Sequence, residues 1–338
     1  MQILNYIQYS IKIKILLQNS HYKKLHYKNE IFRKKIKFFF TYSLIIIISY
    51  GYQYIMLNCK AEDLFKGIKI YFENETLDEI LFNNKSISRF GDGEFYLIYG
   101  GGNYFQKYDK NLIKKLKIIL KSNEDGLLIG INIPYKKYQF DRYIDNVKKY
   151  YIKYINNYKF KIYRLLNKKK KYYSSIIGRF YIDFKDKSGI PKYIKKLKRI
   201  WDKRDIFIIE GEKSRLGVGN DLFKNANSIK RILCPVQNAF KVYKKIIKKV
   251  QACVDKHNLI LLALGPTATV LAFDLYRLGY QVIDIGHLDI EYEWFLKNTT
   301  VKIQIENKYV AEVNGAKYNF TKVKDKNYYK QIIAQILN

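Results

Sequence analysis

Residues 259–285 read LILLALGPTATVLAFDLYRLGYQVIDI, and the reading of this stretch decides the fold. Leu259 to Leu264 form an unbroken apolar run of the length expected for a strand buried on both faces. Gly265 and Pro266 interrupt it, an apolar helix runs from Thr267 to Leu278, and Gly279 stops that helix as a C-cap before a second strand, Gln281 to Ile285. Strand, helix and strand of these lengths make a parallel β-α-β unit. The alternation extends backward through strand Asp205 to Glu210, a loop to Asn220, a short helix, strand Arg231 to Cys234 and helix Ala239 to Val250. Parallel sheets of this kind bind ligands in the crevice beyond the carboxyl ends of their strands.

Further out the periodicity predicts a strand at Ser86 to Phe90, and another at Gly126 to Ile131. Between them an amphipathic helix runs from Lys110 to Lys121, with Leu112, Ile113, Leu116, Ile119 and Leu120 on one side. Asp141 to Lys171 reads as a helical, basic, tyrosine-rich stretch that ends in a solvated loop at Lys168–Lys171. A hairpin over Val301–Val313, turning around Glu306 to Lys308, and a helix from Asn327 close the chain. The fold class is therefore α/β, a mostly parallel sheet flanked by helices.

The chain has 338 residues, 48% hydrophobic and 28% charged, which suits a globular protein rather than a disordered one. Its 63 Lys and Arg against 30 acidic residues give a net charge of +33, enough to attract nucleic acid, anionic lipid or phosphorylated ligands. Cys59, Cys234 and Cys253 are widely spaced and signal neither a disulfide framework nor a zinc site. His21, His26, His257 and His287 form no ligand pair of the H-x-x-x-H kind. Residues 1–60 form a basic N-terminal helical extension, in which Arg33, Lys34, Lys35 and Lys37 precede a charge-free run from Phe38 to Leu57. Tyr50 to Tyr54 leave that run a strongly apolar core of only about 13 residues. A segment lying on an anionic membrane surface is expected rather than a span.

Four motifs hold chemistry-bearing residues. SISRFGDGEF, residues 86–95, places Arg89, Asp92, Glu94 and two glycines directly behind a strand. In an extended segment carboxylates two apart point the same way, and Mg²⁺ or Mn²⁺ takes one or two such oxygens with substrate phosphates completing its shell. The same tripeptide also suits a plain turn with a charged flank. At Gly265–Thr267 a helix starts where a strand ends, offering either an anion site or a simple cap by Thr267. GEKSRLGVGNDLF, residues 211–223, sets Lys213, Ser214 and Arg215 in a glycine-containing loop, with Asn220 and Asp221 at the next helix start. That loop suits a diphosphate or a sugar ring, or Asn220 or Asp221 merely caps and Arg215 pairs with Glu210 or Glu212. GHLDIEYEWF, residues 286–295, places His287, Asp289, Glu291 and Glu293 at alternate positions, all on one side if extended. If helical, only His287 with Glu291 and Asp289 with Glu293 share a face. No G-x-G-x-x-G or G-x-x-x-x-G-K-[ST] follows any predicted strand, which argues against a dinucleotide enzyme or a P-loop NTPase.

The ordered set SRFGDGE (88–94), IIEGEKSRLGVGNDLF (208–223), LCPVQNAF (233–240) and the run from Leu262 to Phe295 closely resembles the bacterial GT-D type glycosyltransferases. The resemblance spans roughly residues 75–320 and leaves the N-terminal 60 outside. It implies a Rossmann-like transferase domain over 75–338 that uses a UDP-sugar, with Asp92 and Glu94 holding Mn²⁺ or Mg²⁺ on the diphosphate. It also implies a saccharide or glycoprotein glycan acceptor in surface glycan or glycoprotein glycan assembly. GRFY at Gly178–Tyr181 stands where the family pattern has Ser/Thr-Arg-Pro-Tyr, keeping only Arg179 and the tyrosine.

The expected activity is thus transfer of a hexose from a UDP-sugar. Arg89, Lys213, Ser214, Arg215, Asn220, Asp221 and Thr267 would hold phosphates or sugar hydroxyls, and Asp289 or Glu293, oriented by His287, would deprotonate the acceptor. The competing class is a basic nucleic-acid or membrane-surface binding protein on a non-catalytic core, but no nucleic-acid recognition module is visible and no nucleic-acid partner is expected. Cytosolic UDP-sugar pools place the protein in the cytoplasm, peripheral at the inner membrane face.

Overall fold

The computed structural model describes residues 59–102, 105–310, 312–313 and 320–337, together with residues 41, 42 and 45. Apart from those three, the Phe38–Leu57 run lies outside the described residues, and none of the described helices is long and apolar enough to cross a membrane. Internal contacts divide the chain into Met1–Asp63 and Leu64–Asn338, and the sheet belongs to the second unit.

Among the described residues nine strands form one sheet: β1 (Lys69–Ile70), β2 (Ser86–Phe90), β3 (Leu127–Ile131), β4 (Lys171–Ser174), β5 (Asp205–Gly211), β6 (Ser228–Cys234), β7 (Leu259–Ala263), β8 (Gln281–Asp284) and β9 (Ile332–Gln335). Their order is β1-β4-β3-β2-β8-β7-β5-β6-β9, and every pairing is parallel. Residues 259–285 form its centre. Leu259 to Leu262 are fully buried, because helices cover both faces and a doubly covered strand has no solvent side to make polar. On one face Ile87, Leu128, Ile208, Leu261 and Ile283 share a cluster with Leu77, Leu197 and Trp294, from helices Glu73–Phe82, Ile190–Lys198 and Leu288–Leu296. Helix Pro266–Arg277 covers the other face, packing on β2 and β8 beneath helix Lys110–Lys121. Each such buried Leu or Ile contributes about 1.5–3 kcal/mol, which is what holds the layers together.

β5 leads to β6 on one side, whereas β7 leads to β8 on the other, so the connections diverge above the middle of the sheet. A crevice opens at such a switch point.

The chain departs from expectation at the edges. Lys171 to Ser174 form strand β4 instead of ending a loop, and the closing helix stops at Gln331, giving way to β9. Both strands are four residues long, too short for a readable alternation, and pairing with β3 and β6 decides them. The short helix after Asn220 is replaced by turns. No hairpin forms among the described residues of 301–313. Lys308 folds inward instead, its Nζ 2.7 Å from Asp289 Oδ2 and 2.8 Å from Glu293 Oε1. Asn220 Nδ2 donates to both carboxylates at 2.8 and 2.7 Å, and Gly217 N donates to Asp289 Oδ1 at 2.9 Å. A second buried pair, Glu210 with Arg231 at 2.6 Å, joins β5 to β6, and Arg231 Nε reaches Gln331 at 2.7 Å.

Glu291, wholly buried, accepts from the backbone N–H groups of Tyr181 (2.8 Å) and Ile182 (3.0 Å) through one oxygen. Burial pushes its carboxyl up from 4.5 to about 7, against the opposing charge of Arg179.

Two consequences can be measured. Lys308→Met strands two buried carboxylates and should destabilise the fold by about 3–5 kcal/mol in equilibrium urea unfolding; a loss within ordinary surface-substitution scatter would contradict the buried triad. Between pH 4.5 and about 7 folded Glu291 keeps a proton that the unfolded chain has released, so its contribution to stability declines as pH rises across that window. Glu291→Gln keeps the accepting carbonyl and should gain on the order of 3 kcal/mol relative to the parent between pH 5 and pH 8. Parallel pH profiles of the two proteins would show that the carboxyl does not titrate there.

Candidate active site

The strand ends wall a cavity of about 570 Å³, with Arg89 beyond β2's middle, Asn132 after β3, Ser175 after β4, Ser214 after β5, Gly265 after β7 and Gly286 after β8. Arg89 is held rigidly. Its NH1 donates to the Ser175 carbonyl at 2.6 Å and its NH2 pairs with Asp284 at 3.0 Å. Gly286 makes this seat available: at φ +51° it adopts a conformation that other residues resist, and a Cβ there would lie 1.9 Å from Arg89 NH2. Burial raises the Asp284 carboxyl above its usual range, and the Arg89 charge opposes that rise.

Asp92 and Glu94 both line the cavity, but not from an extended segment. Gly91, with φ −91° and ψ −173°, is the N-cap of helix Asp92–Ile98, so the pair occupies the first and third helical positions. The first turn of a helix favours carboxylates through its unpaired N–H groups and dipole. Glu94 Oε2 turns back to accept from Gly91 N at 2.7 Å, one half of a capping box. Asp92 Oδ1 accepts from Gly93 N at 3.0 Å, and its Oδ2 accepts from the Tyr150 hydroxyl. Burial, helped by the charges of Asp284 and Asp92, pushes Glu94 up to about 7. Accumulated negative charge of this sort is relieved by a cation. Among the described residues no group of three or more His, Cys, Asp or Glu could cage a metal. Two carboxylates completed by ligand oxygens would suit a hard ion such as Mg²⁺ or Mn²⁺.

The acidic segment behaves differently from its extended reading. It is helix Leu288–Leu296, so its residues diverge. His287, at the N-cap, faces the cavity with Nε2 3.3 Å from Glu312 Oε1. Burial pushes its imidazole down to about 4 against the pull of Glu312. Asp289 reaches the cavity wall, Glu293 does not, and both are committed to Lys308 and Asn220.

Of the glycine-containing loop, only Ser214 among the expected ligands lines the cavity. Lys213 Nζ lies 3.8 Å from Glu212. Arg215 does not pair with Glu210 or Glu212; it donates to the carbonyls of Asn307 and Thr321, both at 3.1 Å, and so ties distant loops together. Asn220 bridges the two carboxylates described above, and Asp221 pairs with Lys198 at 2.8 Å and accepts from the Tyr292 hydroxyl at 2.6 Å. Thr267 is buried outside the cavity wall, and the first amides of its helix are engaged: Thr267 N donates to Leu264 O at 3.3 Å and Ala268 N to Gly265 O at 2.9 Å. Pro266 has no N–H to offer. The strand end thus presents a closed turn rather than an open anion cradle.

Several wall residues carried no signal in the sequence. Arg179, noted only for its place in GRFY, forms a two-point pair with Glu312, with NH1 to Oε2 at 3.0 Å, and Lys302 joins Glu312 at 2.8 Å. Burial works against an ionised Glu312, but the charges of Arg179, His287 and Lys302 hold its carboxyl far below the usual range. Tyr96 and Tyr151 also line the cavity. Nothing in local spacing separates these tyrosines from the many others nearby.

Comparison with known proteins places this architecture. Residues 87–313 match the family model described as the glycosyltransferase GT-D fold. The chain is similar to "Glycosyltransferase GlyD" of Streptococcus pneumoniae serotype 4, 39% identical over 279 residues that make up 78% of this chain and 32% of that protein. It is also similar to "Probable glycosyl transferase Gly" of Streptococcus gordonii, 38% identical over 278 residues, 82% of this chain and 40% of the relative. The matched region thus spans two fifths or less of these longer relatives. Among solved structures, one described as "The highly conserved domain of unknown function 1792 has a distinct glycosyltransferase fold" superposes with a TM-score of 0.75 at 38% identity, covering 82% of this chain and 98% of that one. Another, "A New Glycosyltransferase (DUF1792) from Streptococcus sanguinis", gives a TM-score of 0.74 at 36% identity over 80% of this chain and 99% of its own. The strand order, the cavity at the strand ends and these matches lead to one conclusion: the chain belongs to the GT-D-fold glycosyltransferase family.

Proposed function

We propose that this glycosyltransferase moves a hexose from a UDP-sugar to a hydroxyl of a saccharide acceptor, using Mn²⁺ or Mg²⁺ held by Asp92 and Glu94. The supporting observation is that Asp92 and Glu94 line the same cavity as Arg89 and Arg179. Carboxylates for a cation and guanidiniums for phosphate oxygens are the complement of a metal-bound diphosphate. About 570 Å³ is within the range that accepts a ligand of nucleotide-sugar size.

When bound, the metal would neutralise charge developing on the leaving diphosphate. The chain's own residues do the positioning. Arg89, locked by Ser175 and Asp284, meets a phosphate oxygen with little further loss of side-chain freedom, and the Tyr150 hydroxyl orients Asp92. Ser214 offers its hydroxyl to a sugar or phosphate oxygen. Lys213, Arg215, Asn220, Asp221 and Thr267 stand behind the wall, where Arg215 ties the Ser214 loop to Asn307 and Thr321 and Asn220 holds Asp289. His287 is the cavity-facing group placed to take the acceptor's proton: burial keeps it neutral above about pH 4, and Glu312 orients its ring. Asp289 and Glu293 fix the helix on which His287 stands.

The resemblance further suggests a role in surface glycan or glycoprotein glycan synthesis. The basic residues 1–60 would hold the enzyme on the anionic inner face of the membrane, next to cytosolic UDP-sugars.

Replacing Asp92 and Glu94 together with Ala should lower Mn²⁺-stimulated UDP-sugar hydrolysis by about a hundredfold or more, and should abolish the thermal stabilisation that UDP with Mn²⁺ gives the parent protein. Normal turnover in the double variant would refute the metal role. In membrane fractions the full chain should be released by high salt; retention until detergent is added would exclude the peripheral attachment.

A further inference from the structure

Helix Asp145–Leu165 carries Tyr150, Tyr154 and Tyr158 at four-residue spacing, which keeps them on one stripe. Tyr96, from helix Asp92–Ile98, and Tyr99, its C-cap, lie against that stripe. The five rings form one aromatic body. Tyr150 and Tyr154 have centroids 6.1 Å apart at 10°, and Tyr154 meets Tyr158 at 5.3 Å. Tyr99 lies parallel to Tyr158 at 5.1 Å, and Tyr96 sets its edge on the same ring at 5.5 Å. Tyr154 is the buried centre, whereas Tyr96 and Tyr150 are 38% and 44% exposed. Single exposed aromatics need no explanation; a contiguous, partly open cluster does.

Two links join the cluster to the reaction site. Tyr96 is part of the cavity wall, and the Tyr150 hydroxyl donates to Asp92. The cluster therefore begins where the donor's diphosphate would be held and continues outward along the helix, with Lys161 over the rings of Tyr99 and Tyr158 at 5.4 and 5.6 Å.

We propose that this tyrosine cluster is the acceptor subsite, a platform on which a neutral pyranose ring stacks with one of its hydroxyls turned into the cavity. The proposal rests on the reading of the cavity as the donor site. A pyranose presents an apolar C–H face rimmed by hydroxyls, and a phenol ring presents an apolar face on which it can stack. A cavity walled by Arg89, Asp92, Glu94 and Arg179 suits a charged diphosphate instead. A transferase must hold its second substrate beside the first, and the platform borders the cavity at Asp92. Stacking of the donor's base on the same rings is the competing occupant.

Saturation-transfer NMR on the full chain can decide, using methyl β-glucopyranoside, methyl β-galactopyranoside and methyl N-acetyl-β-glucosaminide without nucleotide, and UDP with Mg²⁺ separately. At least one glycoside should receive saturation on one C–H face. Tyr96→Ala and Tyr158→Leu should each weaken its binding about fivefold, Tyr96→Phe should retain it, and UDP affinity should hold in Tyr158→Leu, whose ring stands outside the cavity wall. Absence of glycoside binding, or variants that leave it unchanged, would overturn the proposal. So would variants that weaken UDP in its place, since that outcome assigns the rings to the base. Glycoside binding lost in the variants, in a protein that fails to bind UDP, would support the platform and sink the donor reading alone.

Discussion

A parallel sheet covered by helices on both faces can show polar chemistry only at the ends of its strands. Leu259 to Leu262 and Ile206 to Ile209 have no exposed surface worth the name, and a lone charge among them would cost several kcal/mol. Chemistry is thereby confined to the carboxyl edge, where Arg89, Ser175, Asp284 and His287 converge although up to about two hundred residues separate them in sequence. Glu210 and Arg231 show the exception that the constraint allows. They lie inside, but each satisfies the other, and the pair also reaches Leu216 and Gln331.

The electrostatics of the cavity run against those of the chain. A protein of net charge +33 gathers Asp92, Glu94 and Asp284 around one wall, and burial lifts Glu94 to about 7 with help from the other two. Glu291 stands at about 7 as well, also through burial, yet it faces Tyr181 and Ile182 amides away from the cavity. A shifted carboxyl therefore marks a candidate only where it also meets open space. Both carboxyls have like-charged neighbours, Asp284 and Asp92 for Glu94 and Asp183 for Glu291, but only Glu94 lines the cavity.

Residues 286–295 show where reading a sequence stops. Polar residues at every second position suit a strand, and two of the same residues four apart suit a helix. The helix wins because Asp289 and Glu293 then share the face that meets Lys308, a residue many positions later. The same limit explains β4 and β9, each four residues long and each defined by its pairing with a strand distant in sequence, β3 and β6. Long periodic elements such as Lys110–Lys121 carry their own signal, since five apolar side chains at helical spacing leave few alternatives.

The amino-acid order by itself determined the α/β class, the central strands, the acidic pair directly behind β2 and the family resemblance, because each rests on local spacing or on motifs a few residues long. The tertiary structure alone decided which polar residues face the cavity. It sent Arg215, Asn220, Asp221 and Glu293 into the scaffold and brought in Arg179, Glu312, Tyr96 and Tyr151. The reason is physical: a buried charge goes where its counter-charge is, and that partner is fixed by the packing of strands and helices far apart along the chain.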